Sequence, residues 1–346
     1  MPYLVNDLSA SADRFVELIR QQRITDAFSE LDAARAALQV DLREALDRKI
    51  AHRLAQPEFL LQWPLPHQLT FMFLHDGDAI RNSIDRINAA RLRPPPMPDS
   101  AGKTLAQLYE IYSSIVEVRG NRSAADALNG HQRVILGLRV ETSTLANHGK
   151  GVYDDRLVVL AKGLNGGPPS VEEFTRFTTE PTAQYDGNHR NTPGIVFRRA
   201  EGDNVSGDAQ PELGRLAAGT IEMRETTHAN PSSAGTNFSL RPTDAAVASG
   251  AHGVQRDTNH DGEFNALDSN GSTALNNTFK IHSGSRNNTD SAGCQTIHPD
   301  DYQRFRKAVT ADATQTRWHY VLSPTGARHR EWHIPMNPMS QPGRRP

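Results

Sequence analysis

The chain has 346 residues, 37% of them apolar and 23% charged, with a formal net charge of -2. That composition describes a globular protein rather than a disordered one and gives no electrostatic reason to expect nucleic acid as a partner. No window approaches the roughly 20 apolar residues of a membrane span. Residues 1–10 carry neither the basic n-region nor the apolar h-region of an export signal, so the expectation is synthesis in the cytoplasm without a cleaved leader.

The first 130 residues read as helical. Ser11 and Asp13 are candidate caps for a segment that presents Phe15, Leu18 and Ile19 on one face. Residues 24–54 continue the pattern, with Phe28, Leu31, Ala34, Leu38, Leu42, Leu46 and Ile50 as the apolar stripe. A further helix is expected over residues 67–92, with a break near His75-Asp76-Gly77-Asp78. The run Arg93-Pro94-Pro95-Pro96-Met97-Pro98 cannot continue a helix and reads as a linker. Helices over residues 105–116 and 123–128 follow.

From Arg133 the character changes. Arg133-Val134-Ile135-Leu136-Gly137-Leu138 and Arg156-Leu157-Val158-Val159-Leu160 are short β-branched runs bounded by turns. Further strands are expected at 172–179, 195–198, 220–224, 278–282 and 318–322. Taken together, the expectation is an α+β protein: a helical bundle over residues 1–95, linker and helices over 96–132, and a mostly antiparallel β sandwich or barrel over 133–335.

The chain holds one cysteine, Cys294, so no disulfide forms within it. Cys294 is then either a small buried hydrophobe or a reactive thiol. His282 stands twelve positions before it, at the end of an expected strand, with a polar loop between. A loop of that length can fold back and bring an imidazole beside the sulfur. The pairing has a chemical use, because a free thiol near pKa 8.5 is only a few per cent thiolate at neutral pH. An imidazole that takes the proton stabilises the ion pair. Gly293 permits close backbone approach, backbone N–H groups around Cys294 can form an oxyanion hole, and Ser291 can orient the imidazole or donate to the oxyanion.

Ile281-His282-Ser283-Gly284 followed by Ser291-Ala292-Gly293-Cys294 resembles the active-site motif of YkuD-type L,D-transpeptidases, in which a His-Gly pair precedes Ser-x-Gly-Cys. Asp155-Arg156-Leu157-Val158-Val159-Leu160 resembles that family's opening strand, and Leu216-Ala217-Ala218-Gly219-Thr220-Ile221 its Pro-x-Gly-x-hydrophobic element. Gly137-Leu138-Arg139, Tyr153-Asp154-Asp155, Thr179-Glu180-Pro181, Leu240-Arg241 and Gly293-Cys294-Gln295-Thr296 are similar to a divergent branch associated with phages and secreted effectors. The resemblance spans roughly residues 133–325 and is tight around the cysteine.

It implies Cys294 as acyl acceptor, His282 as general base, and Ser291 and Gly293 as supporting residues. The implied substrate is the tetrapeptide stem of peptidoglycan, reached in the periplasm or cell wall of a target cell, with a secretion machine or an immunity protein as partner. Gly284, Arg286 and Gln295 are the candidate substrate-binding positions. The family's arginine two places after the cysteine is absent here, where Gln295 and Thr296 follow instead.

No cofactor is required by this chemistry. Residues 257–268 nonetheless fit the twelve-residue calcium-loop template, with Asp257, Asn259, Asp261, Asn265 and Asp268 at the oxygen-donor positions, Gly262 at the sharp turn, and Glu263 contributing its carbonyl. No helices are expected to flank it, so it reads as a single structural calcium loop or a solvated turn. The other histidines, His228 and His252 among them, show no zinc-ligand spacing.

Overall fold

The computed structural model describes residues 7–56, 77–228 and 237–326. Asp7, rather than Ser11 or Asp13, caps the first helix, α1 (Leu8–Arg20): its carboxylate accepts the Ala10 N–H at 2.8 Å. That bond satisfies an amide that the helix start leaves without an intrahelical partner. The apolar stripe over 24–54 is carried by two helices, α2 (Ile24–Ala36) and α3 (Val40–Leu54). The break lacks glycine or proline, and Leu38 keeps the stripe running through it, buried in the same core. Arg43 closes the break by donating from Nε to the Leu38 carbonyl at 2.7 Å. Helix α4 (Gly77–Leu92) ends just before the prolines; the part of its expected span at 67–76 lies outside the described residues.

Helix α5 (Leu105–Arg119) opens on a reciprocal capping box between Thr104 and Gln107, and α6 (Arg122–Asn129) is capped by Asn121. This stretch, read from sequence as linker and helices, is a wedge between two cores. Ile111 joins the core of α1 to α4. Leu108, Tyr112, Ile115 and Val116 pack instead with Val134, Leu136, Leu138, Val158 and Leu160 of the β region.

Lys49, with its side chain 1% exposed, fastens α3 to α5 through Glu110 and Glu117, each at 3.2 Å, and Ser113 at 3.1 Å. Burial raises the Glu117 carboxyl, and Lys49 with Arg53 outweighs it, leaving Glu117 below the usual carboxylate range. Removing one partner of such a cluster strands the others, which costs about 3–5 kcal/mol. Lys49→Met is therefore expected to lower stability by about 3 kcal/mol, read as a shift of the urea midpoint at constant slope.

The strands are β1 (Val134–Arg139), β2 (Asp155–Ala161), β3 (Ser170–Thr178), β4 (Gly214–Leu216), β5 (Gly219–Thr227), β6 (Phe238–Pro242), β7 (Gly253–Arg256), β8 (Ser272–Ala274), β9 (Ile281–Ser283), β10 (Gln295–Ile297) and β11 (Arg317–Pro324). Eight close into a barrel in the order β1-β11-β5-β6-β9-β10-β3-β2, and β4-β7-β8 form a small separate sheet. Pairing is antiparallel except at β1·β11 and β9·β10. β1 is buried along its whole length, which explains its unbroken apolar run. Ile135 joins the core of Leu157, Val159, Ile221, Leu240, Ile281 and Tyr320, while Val134 and Leu136 meet α5 and α6. Tyr302, Phe305 and Val309 of a late helix (Pro299–Val309) complete the first of these cores.

Two expected strands differ. Residues 195–198 form no strand: Val196 is 63% exposed, and the Arg198 N–H donates to the Gln184 carbonyl in a loop. β9 begins at Ile281 rather than 278, because the Thr278 N–H is taken by the Asn276 side chain in a turn. No helix of the described residues is long and apolar enough to cross a membrane.

Candidate functional site

Strands β9 and β10 run parallel, with Ile281 opposite Gln295 and His282 opposite Thr296. Partners across a sheet face the same way, and side chains alternate along each strand. Cys294, one residue ahead of β10, therefore shares a face with His282, offset by one diagonal step. Both line a cleft of about 700 Å³ together with Tyr185, His228, Gly284, Asp290 and Gly293.

His282 is buried, and its Nδ1 lies 2.8 Å from the Ser283 carbonyl. A carbonyl only accepts, so Nδ1 carries the proton and Nε2 keeps its lone pair. The ring of His228 stacks on it at 4.0 Å between centroids. Burial, reinforced by His228, pushes His282 down to about 4. The imidazole is thus neutral at pH 7 and in the tautomer a general base requires.

Cys294 is partly open to the cleft, and its Sγ lies 3.7 Å from the Thr278 carbonyl as a weak thiol donor. Burial pushes its thiol up, against the lowering influence of the Lys280 backbone and ammonium. At rest the cleft therefore holds a neutral thiol and a neutral imidazole, and not the ion pair expected from sequence. Alkylation by iodoacetamide is expected to be slow at pH 7 and to rise about tenfold per pH unit up to pH 8.5, following the thiolate fraction. A rate already level from pH 5 upward, measured by mass spectrometry on this single cysteine, would reveal a preformed ion pair instead.

Ser291 does not touch the imidazole. Its hydroxyl donates to the Cys294 carbonyl at 2.7 Å and accepts the Gly293 N–H at 3.1 Å, so it braces the turn that carries the sulfur. That bond uses the Gly293 N–H. The Cys294 N–H has no hydrogen-bond partner among the described residues, which leaves it available to an oxyanion. Gly293 has φ +136°, and a Cβ there would lie 2.5 Å from the Gly214 carbonyl oxygen and 2.9 Å from the Phe279 ring. Gly284 is equally tight, 2.2 Å from the Tyr153 hydroxyl.

Two of the expected substrate-binding positions lie away from the cleft. Gln295 is fully buried, with Oε1 accepting from the Tyr320 hydroxyl at 2.7 Å; alternation from Cys294 turns it away from the cleft. Arg286 pairs with Asp300 at 2.6 Å, at the start of the late helix, and does not line the cleft. Residues not singled out from sequence line the cleft. Asp290 accepts from Tyr185, Arg198 and Ser285. Arg199, Glu201 and Asp203 form the far wall with Arg256. Residue spacing gave no signal for His228; the β5-β6-β9 order brings it to His282.

The Asp-rich loop lies between β7 and β8 without flanking helices. Its oxygens serve its own backbone. Asp257 accepts the N–H groups of Asp261 and Gly262 at 3.1 and 3.0 Å, Asn259 accepts from Asp261 at 3.1 Å, and Asp261 accepts from Glu263 at 2.8 Å. Asp268 accepts from Thr258 and Asn265, each at 2.8 Å. Burial, with Asp268, Asp186 and Asp261 nearby, pushes Asp257 up to about 7. Among the described residues, the His and carboxylate ligand atoms that converge are those of Asp208, Glu212 and His260, all within 4.8 Å of one another.

No protein-family model, no curated protein and no solved structure matches the chain.

Proposed function

We propose that the protein is a cysteine acyl-transfer enzyme acting on the tetrapeptide stem of peptidoglycan, of L,D-transpeptidase or L,D-carboxypeptidase type. One observation carries the reading. The chain's single thiol and a buried histidine whose Nδ1–H is spent on a carbonyl line the same cleft. In this reading the thiol attacks the carbonyl carbon of the bond before the terminal D-alanine, and Nε2 of His282 takes the thiol proton as the S–C bond forms. The Cys294 N–H donates to the oxyanion. Collapse returns the proton to the departing amine, releases D-alanine and leaves a thioester, which an amine or water resolves. The cleft wall carries both signs of charge, with Arg199 and Arg256 against Glu201, Asp203 and Asp290. That suits a peptide bearing both a carboxylate and an ammonium group. The helical region would dock a secretion machine or an immunity protein.

Sacculi digested with the full chain, released as muropeptides and weighed by mass spectrometry, test the substrate. Tripeptide stems, exchanged D-residues or new L,D cross-links are expected. Cleaved D,D cross-links or freed stems would mean an endopeptidase or amidase instead, and an unchanged profile would remove the peptidoglycan reading.

A further inference from the structure

We propose that His260, Asp208 and Glu212 form a zinc-type divalent metal site on the outer side of the cleft wall. His260 is the decisive residue. Its side chain is 3% exposed, and Nδ1 lies 3.0 and 3.1 Å from the two oxygens of Asp186, itself fully buried. A carboxylate accepts, so Nδ1 is a donor, and in the neutral ring Nε2 presents a lone pair. That Nε2 is buried and has no hydrogen-bond partner. What faces it is Asp208 Oδ2 at 3.7 Å, beyond hydrogen-bond reach, with Glu212 in the same cluster. A lone pair surrounded by carboxylates lacks a donor, and a cation supplies what all three groups need. Ligand atoms on a tetrahedral zinc, each about 2.0 Å away, stand about 3.3 Å apart. The 3.7 Å between His260 Nε2 and Asp208 Oδ2 is near that spacing, and the Glu212 oxygen lies within 4.8 Å of both.

The surroundings match a metal site in two further ways. Asp186 behind the imidazole fixes its tautomer and orientation, as outer carboxylates do for metal-bound histidines. Glu212 is held by the Val205 and Ser206 N–H groups at 2.7 and 2.9 Å, and Asp208 Oδ1 by the Gln210 N–H at 2.8 Å, which leaves Asp208 Oδ2 for the ion. Asp208 is half exposed and gives the ion a way in. One imidazole and two carboxylates favour zinc over calcium, which takes oxygen ligands alone.

The ion would act structurally. None of the three ligands lines the thiol cleft, whereas Glu201, Gly202 and Asp203 do, and they lead into the segment that carries Asp208 and Glu212. The site thus ties the 201–203 part of the cleft lining to the Asp-rich loop, and it stands or falls independently of the thiol chemistry.

Full-length protein stripped with a chelator and titrated with zinc chloride tests this by bound metal per chain and by thermal melting. One zinc per chain and a melting rise of at least about 3 °C are expected. Asp208→Asn, at a half-exposed side chain, should melt like the wild type without metal yet lose both the zinc and the rise. His260→Gln should lose them as well, and Asp186→Asn should weaken zinc binding about 10- to 100-fold. Three outcomes would each overturn the site: no zinc on the wild type, unchanged zinc binding by Asp208→Asn and His260→Gln, or a melting rise with calcium chloride and none with zinc.

Discussion

Cys294→Ala is expected to abolish conversion of stem tetrapeptides, a loss of at least about 1000-fold, while melting stays close to that of the wild type. The chain contains no second thiol to take over the attack. The side chain is partly open to the cleft, with a weak donor contact to the Thr278 carbonyl and the Lys280 backbone beside it. Cys294→Ser is the sharper variant. A serine hydroxyl is far less acidic than a thiol, and an imidazole pushed down to about 4 is a weak base for it. Serine should therefore be as inactive as alanine. Retained conversion in either variant, assayed by muropeptide mass spectrometry, would mean that the sulfur is structural.

Gly293→Ala is expected to cost about 100-fold in activity, because misplacement of a reacting group by an ångström has that effect. Two causes combine. The backbone at φ +136° disfavours any L side chain, and the added methyl would press on the Gly214 carbonyl at 2.5 Å, backbone that cannot swing aside. Strain of this kind costs about 1–3 kcal/mol, so the variant should fold with a lower melting temperature. Gly166→Ala is the matched control: φ is +76° there, with nothing within 4 Å of the new methyl. It should show strain alone, with full activity. Equal activity in both variants would dissociate the Gly293 turn from the chemistry.

The sequence made legible what depends on neighbours along the chain. Prolines 94–96 mark the end of α4, and the unbroken apolar run of β1 announces a strand buried on both faces. That His282 and Cys294 line one cleft was legible too, because a twelve-position return is local. Partners far apart in sequence were not. β1 closes the barrel against β11 across some 180 positions, and no periodicity reports that. His228 reaches His282 only through strand order, and His260 joins Asp208 and Glu212 from a separate loop. Gln295 is a different case. Once Cys294 faces the cleft, the period of two already turns the next residue inward, so its burial was derivable. In the Asp-rich loop a calcium template and a self-bonded Asx turn use the same residues, and the carboxylates accept from the loop's own amides.

The most direct measurement is to mix the full chain with a purified tetrapeptide muropeptide, quench in acid within seconds, and weigh the intact protein and its Cys294 peptide. The account predicts a mass increase equal to the muropeptide minus D-alanine, located on Cys294, labile to hydroxylamine and absent from Cys294→Ala. A protein of unchanged mass, while the muropeptide is nonetheless converted, would contradict covalent catalysis through this thiol.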